Sequence, residues 1–201
     1  MNQIITIGRE FGSGGRELGR RLAERLQIAY YDQEIISEIA KRTELAEEYI
    51  RNVEERRPLP LMPITVGRTF SIPLGQAADQ QKAVFTEQSR VIREMAERSG
   101  CVIVGRCADY ILRDMRPFRL FLYADMASKM ARCRRKGQVQ TELDDHVLQR
   151  RIRSVEKGRA DYYQFYTGLI WGEKSHYDLC LNTSQIEVKK AVSAIEGFLH
   201  F

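Results

Sequence analysis

The chain has 201 residues, 43% of them hydrophobic, enough for one α/β domain with a sizeable core or for such a domain with an insert. It holds no run of about 18 apolar residues to cross a membrane, and MNQIITIGRE has no basic n-region leading into an apolar stretch, so a cytoplasmic protein is expected. The net charge is +5 with 24 Arg against 8 Lys; guanidinium forks suit phosphate and carboxylate recognition, but they are interleaved with Glu and Asp, so a nucleic-acid partner is not expected.

Gln3–Ile7 reads as a buried strand and Gly14–Leu26 as a helix. Ile28–Tyr31 reads as a second strand ending at Asp32. Gln33–Arg42 and Glu44–Arg56 carry apolar residues at three- and four-residue spacing (Ile35, Ile36, Ile39; Leu45, Tyr49, Val53), which predicts two helices. Between Arg57 and Gly75 lie Pro58, Pro60, Pro63 and Pro73, so an ordered insert, flap or plain connector is expected there.

Further on, Gln80–Ser99 reads as a helix, Cys101–Gly105 as a buried strand, Cys107–Arg113 as a short helix and Phe118–Ala124 as a strand. Met126–Lys136 and Leu143–Lys157 read as arginine-rich helices, Tyr177–Asn182 as the last strand and Glu187–Leu199 as a closing amphipathic helix. Strands alternating with helices predict a mostly parallel sheet covered on both faces. Its ligands are expected beyond the carboxyl ends of the strands, where Gly8–Gly15, Asp32, Arg106 and Asp125 fall. The four cysteines form no C-x-x-C pair and the three histidines are far apart, so reduced thiols and no metal site are expected.

The opening loop, ITIGREFGSGGRELG, fits no phosphate template literally. With the last glycine of G-x-x-x-x-G-K-[ST] at Gly14, Arg9 stands at the first glycine and Gly15 at the lysine; with it at Gly15, Glu10 stands first and Arg16 at the lysine. The pattern G-x-x-x-G-x-G does fit Gly8, Gly12 and Gly14, with Asp32 as a ribose-binding acid, so a dinucleotide-binding oxidoreductase is a rival reading. None of the nine tyrosines has a lysine four residues later, so the Tyr-x-x-x-Lys pair of those enzymes is missing. Three glycines in four residues at a helix start favour an anion there. Arg16 is the cation nearest the empty lysine position.

Several segments together resemble bacterial cytidylate kinases, and more closely the cytidylate-kinase-like family: ITIGREFGSGGRELGRRLAERLQIAYYD, VIVGRCADYIL, RLFLYA, EKGRADYY and YDLCLNTSQ, in that order along nearly the whole chain. The resemblance implies a three-layer α/β P-loop kinase fold with a mostly parallel five-stranded sheet. It implies one domain over 1–201, an inserted acceptor-binding or flap segment over 40–80, and an arginine-bearing lid-like segment over 126–160. It also implies ATP as phosphoryl donor, Mg²⁺ bridging the donor oxygens, and a nucleoside monophosphate or other phosphorylated small molecule as partner. In these terms Gly12, Ser13, Gly14, Gly15, Arg16 and Glu17 bind donor phosphates. Asp32, Arg106, Glu156 and Arg159 bind or orient the acceptor. Arg16, Arg132, Arg135 and Arg159 stabilise the transferring group, with Arg134 in the same lid run; a solvated helix face is the other reading of residues 132, 134 and 135.

This chain departs from the family's pattern at four places. Gly15 replaces the loop lysine, Glu17 the magnesium-touching threonine, Val104 an acid at the end of the third strand, and Glu38 an acceptor-binding arginine. A catalytically degenerate nucleotide- or anion-binding protein is therefore the alternative expectation. The aromatic run DYYQFYTGLIW (Asp161–Trp171) reads as core or interface packing, with ring stacking or a homodimer contact as alternatives.

Overall fold

The computed structural model describes residues 3–55, 74–135 and 144–199. In chain order it has β1 (Ile4–Arg9), α1 (Gly15–Leu26), β2 (Ala29–Tyr31), α2 (Gln33–Thr43), α3 (Glu47–Glu55), α4 (Leu74–Arg98), β3 (Cys101–Val104) and α5 (Ala108–Ile111). Then follow β4 (Phe118–Tyr123), α6 (Met126–Arg135), α7 (Asp145–Thr167), β5 (Leu179–Asn182) and α8 (Val188–Leu199). Two short 3-10 turns, Arg113–Met115 and Lys174–His176, complete the regular structure.

The five strands are parallel, in the order β2-β3-β1-β4-β5. β1 runs almost uninterrupted in apolar residues because both of its faces are covered. Ile5 and Ile7 join Val102, Val104, Leu120 and Leu122 on the face packed by Leu18 and Leu22 of α1 and Ala191, Val192 and Ile195 of α8. Ile4, Cys101 and Ile103 point the other way, onto Ile35, Ile36 and Ile39 of α2, Val91 and Ile92 of α4, and Tyr162 of α7. Because β3 lies between β2 and β1 while β4 lies on the far side of β1, the connections diverge at β1. The loop after β1 therefore opens into the crevice where such sheets hold ligands. In the dinucleotide-binding order the second strand pairs directly with the first; here β3 separates them, which sets this sheet apart from the oxidoreductase reading.

Two helices are longer than the sequence periodicity indicates. α4 begins at Leu74, within the stretch read as a connector; past Pro73 only Gly75, in the first turn, disfavours helix, and the small and polar LGQAADQQ has no apolar period to mark it. α7 continues through most of the aromatic run, where Tyr162, Tyr163 and Tyr166 share a face toward the core, and it stops at Gly168 in left-handed conformation (φ 72°). Its start is set by Asp144, whose carboxylate accepts from the backbone N–H groups of His146 and Val147. The four prolines of the insert lie outside the described residues, as does the 136–143 part of the lid-like segment. Among the described residues no helix is long and apolar enough to cross a membrane.

Candidate functional site

The loop after β1 is held open by backbone and tertiary contacts together. Glu10 N–H donates to Leu122 O on β4, and the Ser13 hydroxyl folds back to donate to Glu10 O (2.9 Å). Gly12 (φ 75°) and Gly14 (φ 89°) take left-handed conformations that a Cβ would strain. At Gly12 a Cβ would also lie 2.9 Å from Lys129 O and 3.0 Å from Cys133 Sγ, so α6 presses directly on the loop. Gly14 caps α1 without a side-chain hydrogen bond. The first-turn N–H groups of α1 thus face the cavity enclosed by the loop, with the positive end of the helix dipole behind them.

Four arginines line that cavity: Arg9, Arg16, Arg132 and Arg159, together with Glu10, Phe11, Gly12, Gly14 and Gly15. Each comes from a different element. Arg132, buried on α6, donates to Gly12 O (3.4 Å), to the Thr183 hydroxyl (3.3 Å) and to Thr183 O. Burial, and secondarily the charge of Arg135, holds the Arg132 pKa below its ordinary value. Arg159 of α7 donates to Arg9 O (3.4 Å) and lies over the Phe11 ring (5.6 Å). Arg16 turns toward the end of β2, where its Nε meets Asp32 Oδ2 at 2.8 Å; Arg16 is 47% exposed and Asp32 only 5%. The buried Asp32 carboxylate thus anchors Arg16 at the end of β2, while the half-exposed Arg16 side chain stays at the cavity's edge.

The one acid on the lining, Glu10, is neutralised from below. Lys129 Nζ lies 2.6 Å from Glu10 Oε2 and 2.8 Å from Glu156 Oε1, and its side chain is 6% exposed. Burial alone would lower the Lys129 pKa, but the bonds to Glu10 and Glu156 outweigh it and raise the value. The Glu156 carboxyl is pushed up, mainly by burial, against the opposing pull of Lys129. The structure therefore places Glu156 in this triad beneath the loop. Ser13 is fully buried, so its side chain does not line the cavity.

Thr183, just past β5, ties the loop to the sheet. Its hydroxyl donates to Ser13 O (2.7 Å), with Tyr123 O at 3.1 Å as an alternative acceptor. Thr183→Val keeps the shape but strands buried acceptors, so a loss of about 1–3 kcal/mol in unfolding free energy is expected from urea denaturation. A variant as stable as the parent would remove the hydroxyl from this role.

A second cavity adjoins the first at the carboxyl ends of β1 and β3. Gly8, Arg9, Gly105, Arg106, Cys107 and Asp109 line one side; Arg159, Tyr162, Tyr163, Trp171 and Tyr177 line the other. Gly105, Arg106 and Cys107 are consecutively left-handed (φ 77°, 59° and 54°). Such backbone costs about 1–3 kcal/mol for each non-glycine residue and concentrates at functional sites. Gln88 holds the turn by donating to Arg106 O (3.0 Å). Asp109 accepts from the Tyr163 hydroxyl at 2.6 Å. Burial raises the pKa of both, the tyrosine further through the charge of Asp109. The aromatic run thus packs, with Tyr166 stacked on Phe85 at 4.0 Å, and also walls this cavity.

A third groove, of about 490 Å³, runs between the start of α1, α6 and the β5–α8 connection. Glu17, Arg132, Arg135 and Ile186 are among its lining residues. Glu17 pairs with Arg21 at 3.1 Å. Glu17 therefore faces away from the loop cavity, and no group of three metal-ligating side chains occurs among the described residues. The structure thus gathers Gly12, Gly14, Gly15, Arg16, Arg132 and Arg159 in one cavity and places Arg106 with Arg159 in the next. Arg135 and Glu17 stand in the groove. Arg9, Lys129 and Asp109 escaped the sequence reading; the only hint was Arg9, which stands where the template has its first glycine.

Residues 4–185 match the model of the cytidylate kinase-like family. A cytidylate kinase from Methanopyrus kandleri is 26% identical over 96% of this chain and 91% of its own length. An uncharacterized protein from Eubacterium ventriosum superposes with a TM-score of 0.71 at 27% identity, over 98% of each chain. Shikimate kinase from Bacteroides thetaiotaomicron, at 16% identity and full coverage of both chains, has a TM-score of 0.60 and shares the fold. The chain belongs to the cytidylate kinase-like family.

Proposed function

We propose that this protein transfers the terminal phosphoryl group of ATP to a small acceptor held in the second cavity, a nucleoside monophosphate being the first candidate. The observation that carries the proposal is the set of four arginines around one glycine loop, contiguous with a cavity that adds Arg106. The arginines of the first suit anionic donor phosphates, and Arg106 in the second suits the phosphate of an acceptor. The adjoining groove is the natural place for the donor's nucleoside.

In the step itself, an acceptor oxygen bonds to the γ-phosphorus of ATP while the bond from that phosphorus to the β–γ bridging oxygen breaks. The electron pair leaves with ADP, and any acceptor proton passes to a nearby base or to water. Such transfer needs positioning and charge stabilisation more than covalent help. Arg159 belongs to both cavities and is suited to the moving charge; Arg106 anchors the acceptor, and Asp32 holds Arg16 until an anion arrives. Magnesium enters this reading as the companion of ATP, held by phosphate oxygens and water. A cytoplasmic setting accompanies it.

The test is ADP release by purified protein with ATP, Mg²⁺ and a panel of nucleoside monophosphates and hydroxylated small acids. Turnover above the acceptor-free background with at least one acceptor is expected. The second reading, nucleotide binding without turnover, is favoured by Gly15 and by the Glu17–Arg21 pair at the usual metal position. It predicts calorimetric ATP binding that Mg²⁺ leaves unchanged, and no ADP.

A further inference from the structure

We propose that Arg9 is the phosphate-binding cation of this site, delivered from the end of β1 in place of a lysine at position 15. The assignment rests on the phosphoryl-transfer reading above and names the residue that makes it workable.

Space provides the first argument. A Cβ on Gly15 would lie 2.7 Å from Arg9 Cβ and 2.9 Å from Arg9 Cγ. The stem of Arg9 thus occupies the room that a side chain at 15 would need. Gly15 opens α1 without a left-handed φ, so backbone conformation does not require glycine there. Its value is the space it leaves. At the other end of the side chain, a Cβ on Gly105 would fall 1.6 Å from Arg9 Nη1, 2.5 Å from Cζ and 3.0 Å from Nη2. Two glycines from distant parts of the chain thus leave a slot that Arg9 fills from stem to guanidinium.

Position provides the second argument. Arg9 is 6% exposed and lines both the loop cavity and the acceptor cavity. A cation there lies between a donor phosphate on the loop and an acceptor beside Arg106, where charge develops during transfer. Its planar fork can bridge two phosphate groups, which a lysine ammonium does less well. Arg16, the other candidate for the lysine's role, is directed to Asp32 instead. The missing lysine is therefore an exchange: arginine at the template's first glycine, glycine at its lysine. Arg9 forms no covalent bond in this role; it neutralises charge on the bridging and transferring oxygens.

The test uses the full chain, inorganic tripolyphosphate and ATP as calorimetric probes, and ADP release as the kinetic readout. Arg9→Met keeps the apolar stem in its slot. It is expected to melt close to the parent, to weaken tripolyphosphate binding at least about tenfold, and to lower kcat by about 10²–10³-fold. Gly15→Lys alone is expected to lose binding, because lysine and Arg9 compete for one space. The double variant Arg9→Gly/Gly15→Lys rebuilds the usual arrangement and is expected to bind at least about tenfold better than Arg9→Gly, a coupling that mere structural filling would not produce. If the parent binds tripolyphosphate and Arg9→Met binds it equally well, the assignment to Arg9 falls while the anion-loop reading stands. If Arg9→Met does not fold, the double variant decides: no gain over Arg9→Gly overturns the assignment. A parent that binds neither probe overturns the phosphoryl-transfer reading and this inference together.

Discussion

Replacing Lys129 by methionine is expected to lower the unfolding free energy by about 3–5 kcal/mol, the cost of leaving buried charge without its partner. Lys129 is the only cation that the ion pairs place between Glu10 and Glu156 among the described residues. Glu10 also accepts from Ala124 N–H at 3.1 Å, so its carboxylate is fixed and cannot swing out to water without releasing the loop from β4. The pH dependence follows from the direction of the shifts. The Lys129 pKa is raised above 10.5, so its stabilising contribution is present below that pH and is lost as pH rises through the folded value. The Glu156 pKa is raised above 4.5 by burial, and removing Lys129 takes away the opposing pull. Stability of the variant is therefore recovered as pH falls from neutral toward 4.5, because a proton on the carboxyl substitutes for the lysine. Urea denaturation at about pH 5 and pH 8 checks this: the deficit against the parent should narrow at the lower pH. A deficit equal at both would mean that Lys129 matters through packing alone. The variant should also bind ATP more weakly, since Glu10 would then present an unbalanced negative charge to the loop cavity.

Replacing Arg159 by methionine is expected to lower kcat by about 10²–10³-fold, equivalent to about 2.7–4 kcal/mol of transition-state stabilisation. The KM for ATP should change far less. Arg159 reaches the site from α7, borders both cavities, and is held by Arg9 O at 3.4 Å and by the Phe11 ring. In the proposed function, a group so placed would meet the transferring phosphoryl more closely than either resting substrate, which is the condition for acting on kcat. Methionine retains the apolar stem against Phe11, so loss of fold is not the expected cause. Steady-state kinetics against ATP and against the acceptor separate the outcomes. A rise in KM with kcat unchanged would make Arg159 a ground-state anchor and move the catalytic burden to Arg9 and Arg132.

Much of the frame was legible along the chain. IITI and CVIV read as buried strands because a parallel strand covered on both faces needs apolar residues at every position, and β1 and β3 have them. The loop read as an anion site because three glycines at a helix start have few other uses. The resemblance singled out Arg132 and Arg159, and both line the cavity at the loop. Lys129 was missed because nothing in MASKMARCRR separates a buried lysine from the arginines around it; only the approach of Glu10 and Glu156 does. Arg106 was expected, but the left-handed turn that presents it and the Gln88 bond that holds it belong to the folded backbone.

The sequence by itself determined most of the elements, the parallel sheet and the glycine-rich turn after β1, because hydrophobic period and glycine placement act over neighbouring residues. Only the tertiary structure decided which cations surround that opening. Gly15 and Gly105 are far apart along the chain, yet both border one side chain, and a slot of that kind exists only after β1 and β3 have paired and α1 has packed across them. What reads in sequence as a lost lysine is, in the folded chain, room made for Arg9.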